Sequence, residues 1–154
     1  MLKLTKKADY GLIAMRHLAE SSGEACSAKD LAEAYGIPQE ALAKILQRLA
    51  KNGLLLSHHG VNGGYILARD ARKISVFDVI QAIEGPLFMT SCHTPTRGEC
   101  EQSLKCNIRE PLRRVGESIQ GLLMRLTIAD MRTGECSENE GNGHKPAHEF
   151  VTLA

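Results

Sequence analysis

No tryptophan occurs among the 154 residues, and only three phenylalanines and three tyrosines do. So few rings argue against a β-sandwich and fit a helical core packed with Leu, Ile and Ala. Also missing is any uncharged apolar run near the length of about 18 residues that a membrane span needs. The basic opening Met1-Leu2-Lys3-Leu4-Thr5-Lys6-Lys7 is followed by Asp9 and Arg16, where a signal peptide would carry an unbroken apolar stretch. The expected setting is therefore the cytoplasm, without a membrane partner. No nucleophile–base pair, phosphate loop or paired-carboxylate arrangement is visible, so the chain does not read as an enzyme. No internal repeat is present.

What the chain does have is enough apolar material to fold. With 43% hydrophobic and 24% charged residues, it reads as one domain, or one domain with an arm. The formal net charge is only +1, but its distribution is uneven. Residues 1–75 hold 11 Lys and Arg against 7 Asp and Glu, and residues 76–154 hold 8 against 11. A basic N-terminal half agrees with a nucleic-acid partner, and equally with a fluctuation of surface charge.

Five cysteines, an odd number, occur without an export signal, which argues against a disulfide framework. Cys92, Cys100 and Cys106 crowd into a polar stretch with Pro95 and Gly98. Thiolates select zinc, copper(I) or iron–sulfur clusters. The spacings of seven and five are wider than the tight Cys-x2-Cys knuckle of structural zinc sites and suit a loop around a larger iron–sulfur object. Free thiols, or a zinc- or thiol-based sensor, remain the alternatives. Candidates for a fourth ligand are His93, Glu99, Glu101, Asp9 and the remote Cys26 and Cys136.

The periodicity predicts a first helix over about Lys6–Ala19, capped by Thr5, with Ala8, Leu12, Met15 and Ala19 along one face. Ser27 with Asp30 reads as a capping box for a second helix carrying Leu31, Ala32 and Tyr35 and stopping at Gly36. A third helix, Gln39–Lys51, follows Pro38 and aligns Leu42, Ile45, Leu46 and Leu49. Two helices joined by so short a Gly-containing turn form a helix-turn-helix pattern. Strands over 54–58 and 64–67 follow, joined by His59-Gly60-Val61-Asn62-Gly63, whose Asn-Gly accepts positive φ. A hairpin directly after a recognition-type helix is the wing of a winged helix. Ser75 with Asp78 caps a fourth helix bearing Val76, Val79, Ile80 and Ile83, which Gly85-Pro86 ends. From Arg109 a long helix carries Leu112, Val115, Ile119, Leu122 and Leu126, a narrow seam suited to a partner helix or to the chain's own core. Thr127 with Asp130 predicts a short final helix up to Gly134.

The fold class is thus mainly α with a small β-hairpin: a winged helix-turn-helix over 1–85, a cysteine-rich loop over 86–106, dimerisation helices over 107–133 and a disordered tail over 134–154. The N-terminal half of a recognition helix reads base edges in the major groove, which selects Gln39, Glu40, Ala43 and Lys44. Lys6, Lys7, Arg48 and Lys51 are natural phosphate partners. His59, Gly60 and Asn62 complete the set at the wing.

Several stretches carry a resemblance: Leu4-Thr5 to Asp9-Tyr10-Gly11, Lys51-Asn52-Gly53-Leu54, Gly60-Val61-Asn62-Gly63-Gly64-Tyr65 and Ile83-Glu84-Gly85-Pro86. Together with the three cysteines they resemble the Rrf2 family of bacterial regulators, over about residues 1–133. That family includes IscR-like, NsrR-like and SUF-system regulators. The resemblance implies a homodimeric repressor that binds a palindromic operator on double-stranded DNA and holds a 2Fe-2S cluster on Cys92, Cys100 and Cys106. It also implies that the cluster reports iron–sulfur, redox or nitric-oxide status. The IscR pattern places a histidine three residues after the third cysteine, where this chain has Arg109. Asp9 instead matches the NsrR-like aspartate supplied by the partner subunit. Where IscR-like wings often carry Arg, this wing has His59. The stretch from Glu84 through Cys92 is most similar to SUF-system regulators.

Overall fold

The computed structural model describes residues 4–21, 23–60, 63–88 and 105–131. Cys92, Cys100, His93, Glu99, Glu101, Asn62, Cys136 and the expected tail lie outside the described residues. Among the described residues, five α-helices and one hairpin follow in the order α1 (Lys6–Glu20), α2 (Ala28–Tyr35), α3 (Gln39–Lys51), β1 (Leu55–His58), β2 (Gly64–Leu67), α4 (Val76–Glu84) and α5 (Arg109–Arg125). A single 3₁₀ turn, Ala71–Lys73, links the hairpin to α4.

Local chemistry sets these bounds. Thr5 caps α1 by accepting the N–H of Ala8, a contact of the type that contributes about 1 kcal/mol. The α2 helix stops at Gly36, which takes a left-handed φ of 61° that a side chain would oppose. Beyond α3, the N–H of Gly53 bonds to the Ala50 carbonyl and that of Leu54 to the Leu49 carbonyl. These two bonds close the helix as a Schellman motif and draw Leu54 into the core, so β1 starts one residue later than its apolar run predicts. The capping box at Ser75 and Asp78 forms reciprocally.

Two other caps differ from expectation. The Asp30 carboxylate accepts from the Ser27 hydroxyl at 2.7 Å, so it does not bond back to the backbone, and only half of the box forms. Thr127 and Asp130 do bond reciprocally, but they cap a turn over 128–131 and no helix within the described residues.

The core collects Met15 and Leu18 of α1, Leu31 of α2, Leu42, Leu46 and Leu49 of α3, Leu54, Leu55, Ile74, and Val79, Ile80 and Ile83 of α4. Burying each such side chain stabilises the fold by about 1.5–3 kcal/mol. Leu18 belongs to this core where the periodicity pointed to Ala19, because the true repeat of 3.6 carries the stripe through Gly11. Tyr35 is exposed, its hydroxyl 2.9 Å from His17 Nδ1.

Close approach of elements depends on two glycines. A Cβ at Gly11 would lie 2.2 Å from Cδ1 of Ile83, so α1 meets α4 closely there. A Cβ at Gly64 would lie 2.5 Å from the backbone carbon and oxygen of Cys26. That proximity exists because Cys26 and Tyr65 exchange two backbone hydrogen bonds, 3.2 and 2.9 Å long. The hairpin is thereby tied to the segment that leads into α2.

Gly64→Ala is expected to cost about 1–3 kcal/mol or somewhat more, because backbone must move. Gly11→Ala should cost less, since Ile83 can rotate its terminal methyl away. Thermal melts monitored by circular dichroism check the ranking; equal losses would contradict it.

Candidate nucleic-acid interface and metal centre

The turn between α2 and α3 is fixed by the left-handed Gly36 and by Ile37, which is buried. Ile37 also donates its N–H to the Ala32 carbonyl. The turn sets α3 with Leu42, Ile45, Leu46 and Leu49 inward. The opposite face presents Gln39, Glu40 and Lys44 to solvent, with Ala43 half-buried beside them. Pro38 precedes α3 with no side-chain cap, so no side chain covers the amides of its first turn. Free amides and the positive end of the helix dipole both favour an approaching phosphate.

Some cations elsewhere are engaged within the protein. Arg16 pairs with Glu20, Lys29 with Glu33, Arg72 with Asp70, and Arg113 and Arg114 with Glu110. The Arg72 hydrogen bond holds the Asp70 carboxyl down at about 2, and Arg113 does the same for Glu110. Lys44, Arg48 and Lys51 differ: no acidic side chain among the described residues lies within ion-pair distance of any of them. Lys6 and Lys7 are exposed in the first turn of α1 and also lack an ion pair there. Arg69, Lys73, Lys105, Arg109 and Arg125 likewise make no ion pair among the described residues, so what distinguishes α3 is that Lys44, Arg48 and Lys51 follow one another at helical spacing opposite its buried face.

The hairpin pairs Leu55 with Leu67, Leu56 with Ile66, Ser57 with Tyr65 and His58 with Gly64. At its tip Gly60 holds a φ of 129°, and its carbonyl accepts the N–H of Gly63 at 2.9 Å. Of the described tip residues Gly60 takes the positive φ and Gly63 does not, whereas the Asn-Gly pair predicts it at Asn62 and Gly63; Asn62 lies outside the described residues. Gly63 serves another need: a Cβ there would lie 2.6 Å from the His58 carbonyl oxygen. His59 and Gly60 are both exposed at the end of the hairpin. Sequence reasoning missed the part Cys26 plays here, as a backbone partner of the wing. Its half-buried thiol lies 3.4 Å from the Ser21 hydroxyl.

The proposed cluster ligands are only partly visible. Cys106 is a free, half-buried thiol three residues before α5, with Lys105 and Arg109 as its charged neighbours in sequence. Asp9 is exposed in the first turn of α1. The described residues contain no group of three or more His, Cys, Asp or Glu side chains able to hold a metal ion. What fits a cluster here is donor chemistry: an accessible thiol outside any disulfide, and a solvent-facing carboxylate.

Of the five seam residues of α5, Leu112 and Ile119 are half-buried and three are exposed within one chain. Val115, Leu122 and Leu126 are 46%, 64% and 43% exposed, Ile108 is 57% exposed, and no residue of the helix is buried. The chain's own core is met by the neighbouring stripe, in which Leu123 packs on the core and the Gln120 amide donates to the Leu87 carbonyl at 2.8 Å. None of the helices among the described residues is long and apolar enough to cross a membrane.

Comparison with known proteins places this geometry. Residues 4–134 match the family model Rrf2, described as an iron-dependent transcriptional regulator. The HTH-type transcriptional regulator IscR of Cronobacter sakazakii is 31% identical over 149 residues, covering 96% of this chain and 91% of the relative. The solved structure of T. potens IscR is similar with a TM-score of 0.66 at 34% identity, covering 84% of this chain and 85% of that one. CymR, the global cysteine regulator of B. subtilis, is similar with a TM-score of 0.67 at 28% identity, covering 86% and 97%.

Proposed function

The chain belongs to the Rrf2 family of transcriptional regulators, and from that premise we propose that it is a cytoplasmic, homodimeric, DNA-binding repressor. In this reading it senses iron–sulfur, redox or nitric-oxide status through a 2Fe-2S cluster held by Cys92, Cys100 and Cys106. The observation that carries the DNA half is the unpartnered run Lys44, Arg48 and Lys51 on a helix whose other face is buried. Membership of a family of transcriptional regulators, with winged-helix structural neighbours, supports the same reading and leaves no role for catalysis.

Gln39, Glu40, Ala43 and Lys44 would face base edges. Gln39 suits adenine, and the methyl of Ala43 suits a thymine methyl. Lys51 and the cations around it would neutralise phosphates, while His59, Gly60 and Asn62 would approach the neighbouring groove. Two copies related by a two-fold axis require a palindromic operator. The working division is a DNA-binding unit over 1–85, a ligand-bearing loop over 86–106, a dimerisation segment over 107–133 and a disordered tail over 134–154.

The dimer reading rests on the exposed Val115, Leu122 and Leu126 of the α5 seam, with polar flanks at Arg113, Glu117 and Arg125. The cluster reading rests on the thiol chemistry of Cys106 and on the spacing of the three cysteines. A cluster bound there supplies iron–thiolate bonds that oxidants and nitric oxide can break. Cys106 would hold its share at the entrance to α5, and Asp9 would supply an oxygen from α1 of the partner subunit. The DNA-reading unit and the dimer axis would then be tied through one site. A zinc- or thiol-based sensor is the second reading, favoured by the likeness to a cysteine regulator.

Anaerobic purification followed by visible spectroscopy and metal analysis tests the cluster. The expected result is a red-brown protein whose charge-transfer bands vanish in Cys106→Ala and shift, with faster loss in air, in Asp9→Ala. A colourless protein with stoichiometric zinc contradicts it. For the dimer, Leu122→Glu places a charge on a side chain exposed in one chain, so folding is spared while the seam is spoiled. Sedimentation should show folded monomers; an intact dimer would remove α5 from the interface.

A further inference from the structure

The wing has no permanent positive charge. From Leu54 to Ala68 the chain contains no Lys, Arg, Asp or Glu, and the nearest fixed cations are Lys51 before it and Arg69 after it. A surface that must approach a polyanion ordinarily draws affinity from such cations. The hairpin's ionisable groups are instead two adjacent imidazoles, His58 and His59, with the Tyr65 phenol on β2.

Geometry makes both imidazoles available. His58 ends β1 opposite Gly64, so no side chain stands across from it in the ladder. It shares its face with Leu56 and Ile66, while Tyr65 lies on the other face, opposite Ser57. His58 and His59 are exposed, and neither makes a hydrogen bond or ion pair with any side chain. The elements packed against the hairpin carry Arg48 and Lys51 at the end of α3, His17 and Glu20 at the end of α1, and Glu24 and Cys26 before α2. His17 and Glu20 are engaged with Tyr35 and Arg16. Among the described residues no carboxylate, that of Glu24 included, lies within ion-pair distance of either wing imidazole.

We propose that His58 and His59 form a proton-dependent phosphate contact, in which an imidazolium engages a DNA phosphate that the neutral ring does not. This rests on the DNA-binding reading above and extends it to the regulation of that same surface. Histidine is the side chain that ordinarily changes charge between about pH 5 and 8. A phosphate beside an imidazolium favours the protonated form, so protons are taken up on binding and affinity falls as pH rises. A dimer presents two wings, so up to four contacts are gained on acidification. Each neutralised phosphate steepens the salt dependence by about 0.9 in the logarithmic slope.

The test measures fluorescence anisotropy with a labelled duplex that the protein has itself selected from random-sequence DNA. Wild type, the double variant His58→Gln/His59→Gln and the single variant His59→Arg are compared at about pH 6 and about pH 8. Wild type should bind about tenfold or more tightly at the lower pH, with a salt slope steeper by about three. The double Gln variant should bind at both values as wild type does at about pH 8, and His59→Arg should recover tight binding there. Ionisation elsewhere, including at the cysteines, affects all three proteins alike. A double variant that retains the wild-type pH profile overturns the proposal and leaves DNA binding standing. If the double variant does not fold, His59→Arg decides: unchanged affinity at about pH 8 overturns the proposal. Absence of binding by wild type at both pH values overturns this inference together with the regulator reading.

Discussion

One backbone pairing organises the molecule. Ser75, the cap of α4, forms a β-bridge with Thr127, just past the end of α5. Val76 donates to the Leu126 carbonyl at 2.8 Å and Ile128 to the Ile74 carbonyl at 2.9 Å, and Ile128 is wholly buried between them. The start of α4 and the end of α5 are thus pinned together, and the Gln120–Leu87 hydrogen bond holds them again beyond the far end of α4. The chain therefore leaves α4 and re-enters at α5, two elements that are held together. The long helix cannot swing freely. Whatever grips Cys106 at its start acts on the helix α4 that packs on α1 and α3.

The same frame reaches the N-terminus. Gly11 lets α1 lie close to Ile83, and the Thr5 hydroxyl donates to the Glu84 carboxylate at the end of α4. The turn of α1 that carries Asp9 is therefore connected to the residue that leads into the cysteine stretch. This supplies a structural reason for the Asp-Tyr-Gly sequence that does not involve a metal: its glycine is needed for helix packing, whatever the aspartate does. In the proposed reading it would let one fold couple two tasks. An effect at Cys106 would have a short route, because α4 packs on α5 and on α1 and α3.

Much of this was legible in the chain. The limits of α3 follow from Pro38 and Asn52-Gly53, residues whose backbone preferences are strong and local. The seam on α5 was visible as a repeat of three and four, but whether it met core or solvent depended on where α4 lay, which no local pattern encodes. Cys26 shows another limit: its pairing with Tyr65 uses only backbone atoms, so no side chain betrays it. The trace it leaves is Gly64, whose missing Cβ the sequence offers as part of a hairpin turn. Tyr35 sat on an apolar stripe yet points to solvent, because its hydroxyl finds His17 there. For the cysteines the sequence remains the principal witness, since two of the three lie outside the described residues.

The central claim is that occupancy of the cysteine site sets affinity for DNA. It is tested most directly by one anaerobic binding titration against one duplex at fixed salt, using cluster-loaded protein and the same protein after iron is removed by a chelator. The account predicts affinities that differ by about tenfold or more, equivalent to a coupling of about 1.4 kcal/mol, and a difference that disappears in Cys106→Ala. Equal affinities, measured with the cluster fully loaded in one sample and absent from the other, would contradict it.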